Sequence, residues 1–241
     1  MMLQTKDIEY QDGALTLRGL LAYDDAQTGK RPGVLVVHEA WGLGEHAMER
    51  AKMLAEEGYV ALAADMYGDR RLATDLPHAM ELIGDLRTDP NKLRQRAKSA
   101  LAALKAQPNV DGSRLAAIGF CFGGTTVLEL ARCGADVKGV VSFHGGLQTA
   151  APAEAGAVTP KVLVCTGADD PMIPPAQVTE FEDEMRKAGA DWQVIAYGNT
   201  VHSFTNPDAG KTVKLDGVAY NAQTDKRSWA AMRSFFAEIF A

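Results

Sequence analysis

The most reactive side chain in the sequence stands in Gly119-Phe120-Cys121-Phe122-Gly123-Gly124. A cysteine flanked by glycines at −2 and +2, between a short apolar run and a helical pattern, has the form of a nucleophile elbow with sulfur in place of serine oxygen. The sharp strand-to-helix turn leaves no room for large side chains at 119 and 123, which accounts for both glycines. The helix that follows would present its positive end to Cys121 and favour a thiolate. The Phe122 amide would point where an oxyanion forms. A buried, inert cysteine in a glycine-rich turn is the competing reading, and the paired glycines weigh against it.

A thiol nucleophile needs a base and a group to orient that base. Two aspartates, Asp169 and Asp170, lie in Gly167-Ala168-Asp169-Asp170-Pro171-Met172-Ile173-Pro174, directly after a buried run. His202, in Gly198-Asn199-Thr200-Val201-His202-Ser203-Phe204, is the only histidine in the C-terminal third. Nucleophile, acid, histidine is the chain order this elbow requires. Neutral imidazole can take the thiol proton and return a proton to a leaving group, while the carboxylate fixes its tautomer. A turn or helix cap is the alternative role for either aspartate, and a surface loop for His202.

These residues must be held by elements spread over the chain. Residues 7–10 and 14–22 alternate around Asp12-Gly13 and predict an antiparallel hairpin. Strands are predicted at 34–37, 60–64, 115–118, 137–143, 162–165 and 192–196, and helices at 45–57, 76–86, 90–106, 123–133, 176–188 and 226–240. Near-continuous apolar strands alternating with helices indicate an α/β fold with a mainly parallel central sheet, helices on both faces and the hairpin at one edge. Residues 150–160 read as a surface loop, and 203–225 as a segment that could pass over a pocket. With no linker or repeat, residues 1–241 are expected to form a single domain. Ligands of such sheets bind beyond the carboxyl ends of the strands. Glu39, Cys121, Asp170 and His202 each follow one.

Composition narrows the partners. Apolar residues make up 46% and charged residues 23%, which is ordinary globular usage and needs no staple. The net charge of −6 argues against a nucleic-acid or anionic-membrane binder. Cys121, Cys133 and Cys165 have no metal-ligand spacing with histidine, and His38, His46 and His78 have none either. No metal and no cofactor is expected. Sparse free thiols suit a reducing compartment. Met1-Met2-Leu3-Gln4-Thr5-Lys6-Asp7 lacks a signal-peptide core. A cytoplasmic protein, monomer or homodimer, with a small-molecule partner is the expectation.

Over essentially its whole length the chain resembles the dienelactone hydrolase family. The resemblance rests on His38-Glu39-Ala40-Trp41-Gly42-Leu43, the 119–124 elbow, the 167–174 segment and His202-Ser203-Phe204. It implies an α/β-hydrolase fold and hydrolysis of esters or lactones through a Cys-His-Asp triad and a thioacyl-enzyme. The D-x-x-I-P spacing aligns Asp170, not Asp169, with the family's acid. Glu39 matches a glutamate that pairs with the resting cysteine and is displaced as substrate binds, and the Ala40 amide would complete the oxyanion hole with Phe122. The family's carboxylate-binding arginine, four residues after the histidine, is here Asn206. Arg70 and Arg71 are the candidates to take over its role, with exposed, solvated arginines the favoured alternative. Trp41, Tyr67, Phe122 and His144 follow predicted strands and are expected to line an aromatic pocket, ordinary packing being the alternative for each. Without the arginine, neutral activated esters and lactones are expected to react. Phosphotriesters are a conceivable side substrate, because thiolate attack at phosphorus builds similar charge.

Two other classes compete. Gly42-Leu43-Gly44-Glu45-His46-Ala47 with Asp65 matches a dinucleotide-binding fingerprint of an oxidoreductase. The first glycine of that fingerprint should follow its strand at once, yet Glu39-Ala40-Trp41 intervene. A catalytically silent α/β-hydrolase used as a binding module would leave the ordered cysteine, aspartate and histidine unexplained.

Overall fold

Period-2 alternation of apolar side chains builds the frame of the molecule. A computed structural model describes residues 2–211 and 214–241. Its strands are β1 (Leu3–Asp12), β2 (Leu15–Asp24), β3 (Arg31–Val37), β4 (Val60–Ala64), β5 (Val110–Phe120), β6 (Gly139–Phe143), β7 (Lys161–Gly167) and β8 (Trp192–Tyr197). They form an eight-stranded sheet in the order β1-β2-β4-β3-β5-β6-β7-β8. β1 and β2 pair antiparallel from Leu3↔Asp24 to Asp12↔Leu15, and β2 joins β4 antiparallel. Every other neighbouring pair is parallel. This is the α/β-hydrolase arrangement.

The helices are α1 (Glu45–Glu56), α2 (Leu76–Ile83), α3 (Pro90–Lys105), α4 (Phe122–Arg132), α5 (Pro175–Ala188) and α6 (Ala222–Ile239). In β3, Leu35 and Val37 enter one apolar core with α3, α4 and α5, while Val34 and Val36 enter the other with α1 and α6. Alternation thus feeds both faces of a covered sheet. Leu35 and Leu62 are fully buried, and truncating either to alanine would cost about 2–5 kcal/mol.

The boundaries differ from the sequence expectation where apolar periodicity is silent. β5 begins at Val110, not 115, because its polar start pairs with Arg31 and Pro32 across a register shift. The helical stretch expected over 76–86 breaks at Gly84, whose φ of 44° ends α2 before a 3-10 turn, Gly84–Arg87. α6 starts at Ala222 because Asn221 caps it, accepting from the Thr224 amide.

Candidate active site

Backbone strain fixes the position of Cys121. Cys121 has φ 53°, a left-handed value that costs a non-glycine residue energy and persists only where surroundings enforce it. Its amide donates to Phe143 O at 3.0 Å and to His144 Nδ1 at 3.1 Å. A Cβ on Gly119 would lie 2.0 Å from Gly123 O, and one on Gly123 would lie 2.2 Å from Val37 O. The two glycines therefore let α4 start tight against the end of β3. Cys121 is half-buried at the N-terminus of α4.

Asp170 and His202 come from the loops after β7 and β8. His202 Nδ1 donates to Asp170 Oδ2 at 2.7 Å, and Asp170 Oδ1 accepts the Met172 amide at 2.8 Å. Asp169 points elsewhere, accepting the Thr200 amide at 3.2 Å. Burial would strip the His202 ring of its proton, but the charge of Cys121 and the bond to Asp170 outweigh it and raise the pKa to about 10. His202 Nε2 is buried without a geometrically well-formed hydrogen bond among the described residues. Cys165, by contrast, sits in β7 with its thiol pushed up to about 12 by burial.

Glu39 makes different contacts from those the resemblance implies. Its Oε2 accepts from Asn206 Nδ2 at 2.5 Å and stands 3.5 Å from His46 Nδ1, while Oε1 has no partner among the described residues. No hydrogen bond joins it to Cys121 there. Asparagine at 206 is short enough to hold this carboxylate itself. Burial raises the Glu39 pKa, but the His46 ring that faces it and the Asn206 hydrogen bond outweigh burial and bring it down to about 2. Arg50 Nε donates to His46 Nε2 at 3.3 Å, which leaves the His46 Nδ1 proton facing Glu39.

A cavity of about 910 Å³ opens beside Cys121. Ala40, Cys121, Phe122 and His202 line it together with apolar residues such as Leu86 and Phe181 and with three carboxylates, Glu129, Glu180 and Glu184. Several expected pocket residues are elsewhere. His144 is fully buried behind the elbow, neutral because burial lowers its pKa well below the ordinary value. Tyr67 is 1% exposed and spends its hydroxyl on Ala40 O at 2.9 Å. Trp41 is outside the lining, its carbonyl accepting from the Ala73 amide. Arg70 is bound at the hairpin edge to Asp7, Arg18 O and Gly19 O, and Arg71 donates to Tyr67 O and Gly68 O. Neither reaches the cavity. The cation that lines it is Arg87, which sequence reasoning passed over because it falls in the helix-to-turn break.

Two loops also correct expectation. None of the described residues of 203–225 lines the cavity. That segment braces His202 through its backbone, with His202 N donating to Gly217 O and Ala219 N to His202 O. The wall comes instead from α2, the 3-10 turn and residues 146–152, whose carbonyls Arg132 and Arg94 hold at Leu147 and Ala151. The glycine fingerprint at 42–44 also has a packing cause. A Cβ on Gly42 would lie 2.3 Å from Arg71 O, so the glycine serves contact between loops.

A family model described as the dienelactone hydrolase family matches residues 17–240. A crystal structure of a dienelactone hydrolase-like promiscuous phosphotriesterase from metagenomic libraries is similar at TM-score 0.94 and 46% identity, covering 99% of each chain. A Yersinia pestis protein provisionally named carboxymethylenebutenolidase is 27% identical, over 98% of this chain and 91% of its own. An uncharacterised Caenorhabditis elegans protein is 38% identical over 62% of this chain and 96% of its own.

Proposed function

The chain belongs to the dienelactone hydrolase family, and from that premise we propose that it cleaves carboxylic esters and lactones by covalent catalysis at Cys121. The observation that carries this reading is the Asp170–His202 bond of 2.7 Å, which leaves His202 Nε2 free beside a strained cysteine that lines a cavity.

With the proton of Cys121 held on His202 Nε2, the sulfur attacks the substrate carbonyl carbon. The Phe122 and Ala40 amides hold the oxyanion, since neither has an acceptor among the described residues. Collapse breaks the carbon–oxygen bond, and the imidazolium gives its proton to the departing alkoxide. Water then enters, loses a proton to His202 and attacks the thioester, and the expelled sulfur recovers the proton. Asp170 keeps the Nδ1 proton in place through both halves.

The apolar walls favour a substrate with a bulky apolar body. With Glu129, Glu180 and Glu184 lining the cavity beside the one cation among the described residues there, Arg87, a neutral substrate fits it better than an anionic one. Activated aryl phosphotriesters form a second class. The 46% identical phosphotriesterase supports it, as does the similarity of charge at phosphorus. Hydrolysis of the thiophosphoryl-enzyme is the step most prone to stall. Residues 1–241 act as one catalytic unit, and three free cysteines support a reducing, cytoplasmic setting. Among the described residues no helix is long and apolar enough to cross a membrane.

The test is mass spectrometry with a slowly deacylating aryl ester. The acyl mass is expected on Cys121 and not on Cys133 or Cys165, with hydrolysis abolished in Cys121→Ala. An adduct elsewhere, or full activity in that variant, overturns the mechanism.

A further inference from the structure

Two buried side chains outside the triad grip the backbone on either side of Ala40. His38 is 1% exposed. Its Nε2 lies 3.3 Å from the Met66 amide nitrogen, which can only donate, so that ring nitrogen accepts. In a neutral imidazole the proton must then sit on Nδ1. Nδ1 is 2.5 Å from Glu39 O, a group that can only accept. The two contacts thus define one tautomer, and burial, by lowering the ring's pKa, keeps it neutral. Glu39 O receives a second hydrogen bond from the Gly42 amide at 3.3 Å. On the next peptide, the Tyr67 hydroxyl donates to Ala40 O, with the Tyr67 ring edge-on to His38 at 4.8 Å.

The geometry of the peptide unit turns these contacts into an aiming device. No described peptide bond is cis, and in a trans unit the C=O and N–H point in opposite directions. With the Glu39 carbonyl drawn to His38, the Ala40 N–H of the same unit faces away from it. That N–H has no acceptor among the described residues, and Ala40 lines the cavity with Cys121 and Phe122. A hydrogen bond accepted at one end of an amide also polarises the donor at the other.

We propose that His38 is a positioning residue for the oxyanion hole, its Nδ1–H bond to Glu39 O aiming and polarising the Ala40 amide while Tyr67 fixes the following peptide. The inference rests on the reading that the Ala40 amide receives the oxyanion. His38 touches neither substrate nor thiol in this scheme. It acts wholly through the backbone between the end of β3 and Ala40.

The experiment compares two reactions of Cys121 in the full chain: single-turnover acylation by an activated aryl ester, and alkylation by iodoacetamide. Both need the thiolate, but only acylation passes through an oxyanion. Asparagine at 38 offers an amide N–H near the position of Nδ1, whereas leucine offers none. His38→Leu is expected to slow acylation about 30- to 100-fold, toward the low end of losing a whole oxyanion donor, with alkylation within about twofold of wild type. His38→Asn is expected to recover at least about tenfold of that loss. Tyr67→Phe, which removes one hydroxyl, covers the case where leucine prevents folding. It is expected to slow acylation several-fold and leave alkylation unchanged. Acylation and alkylation falling together, acylation unchanged in a folded His38→Leu or Tyr67→Phe, or no recovery with asparagine overturns the proposal. Failure of wild-type Cys121 to acylate refutes the underlying ester reading instead, before any variant is compared.

Discussion

Glu39→Gln probes a charge that the fold holds out of water. Glu39 is 5% exposed, with Asn206 Nδ2 at 2.5 Å and His46 Nδ1 at 3.5 Å from Oε2. Burial opposes its ionisation, yet His46 and Asn206 bring its pKa from an ordinary 4.5 to about 2. A carboxylate depressed in this way stabilises the folded state above its unfolded pKa, and the contribution disappears as pH falls through the folded value. The interval corresponds in full to on the order of 3 kcal/mol. By pH 3.5 the unfolded group is mostly protonated and the folded one is not, so on the order of 1 kcal/mol has already gone. Glutamine keeps an oxygen for Asn206 but has no charge to titrate. Urea unfolding of wild type and Glu39→Gln at pH 6.5 and pH 3.5 should show the wild type losing on the order of 1 kcal/mol more on acidification. Equal losses, or a larger loss in the variant, would refute the argument that Glu39 is ionised and held by these partners.

Three further outcomes follow from the site. Asp170→Asn should lower kcat by about 10⁴ by letting His202 settle in the wrong tautomer, while Asp169→Asn, whose carboxylate only receives the Thr200 amide, stays within a few-fold; the reverse ranking in steady-state assays sinks the assignment. Gly123→Ala should cost more than about 3 kcal/mol or prevent folding, because the new Cβ would lie 2.2 Å from Val37 O, and a near-wild-type urea midpoint contradicts this. Arg87→Gln should slow an anionic aryl ester several-fold relative to a neutral one, with the ratio shrinking as salt rises, since Arg87 is an exposed rim charge; a ratio that does not move excludes Arg87 from substrate recognition.

Residues near one another in the chain were the legible ones. The elbow could be read because its strand, its two glycines and its helix are contiguous, and steric demands within a few residues are the same whatever packs around them. Chain order and apolar periodicity likewise put Glu39, Cys121, Asp170 and His202 beyond the carboxyl ends of strands, where a mainly parallel sheet brings them to one edge. Periodicity also marked the strands that feed both cores, though it missed the polar start of β5 and the capped start of α6, where pairing and a side-chain cap decide.

What the sequence alone determined was therefore the sheet, its reactive edge and the identity of the elbow. Tertiary structure decided which partner each polar side chain meets. Asn206 holds Glu39 across 167 residues of chain, and Arg70 is drawn to Asp7 on the hairpin 63 residues away. Arg87 faces the cavity only because the chain turns at Gly84, and His38 meets Met66 only because β3 and β4 lie side by side. A carboxylate, a guanidinium or an imidazole will bond to whatever complementary group the loops deliver. The loops are delivered by the packing of the whole chain, and no local spacing encodes that.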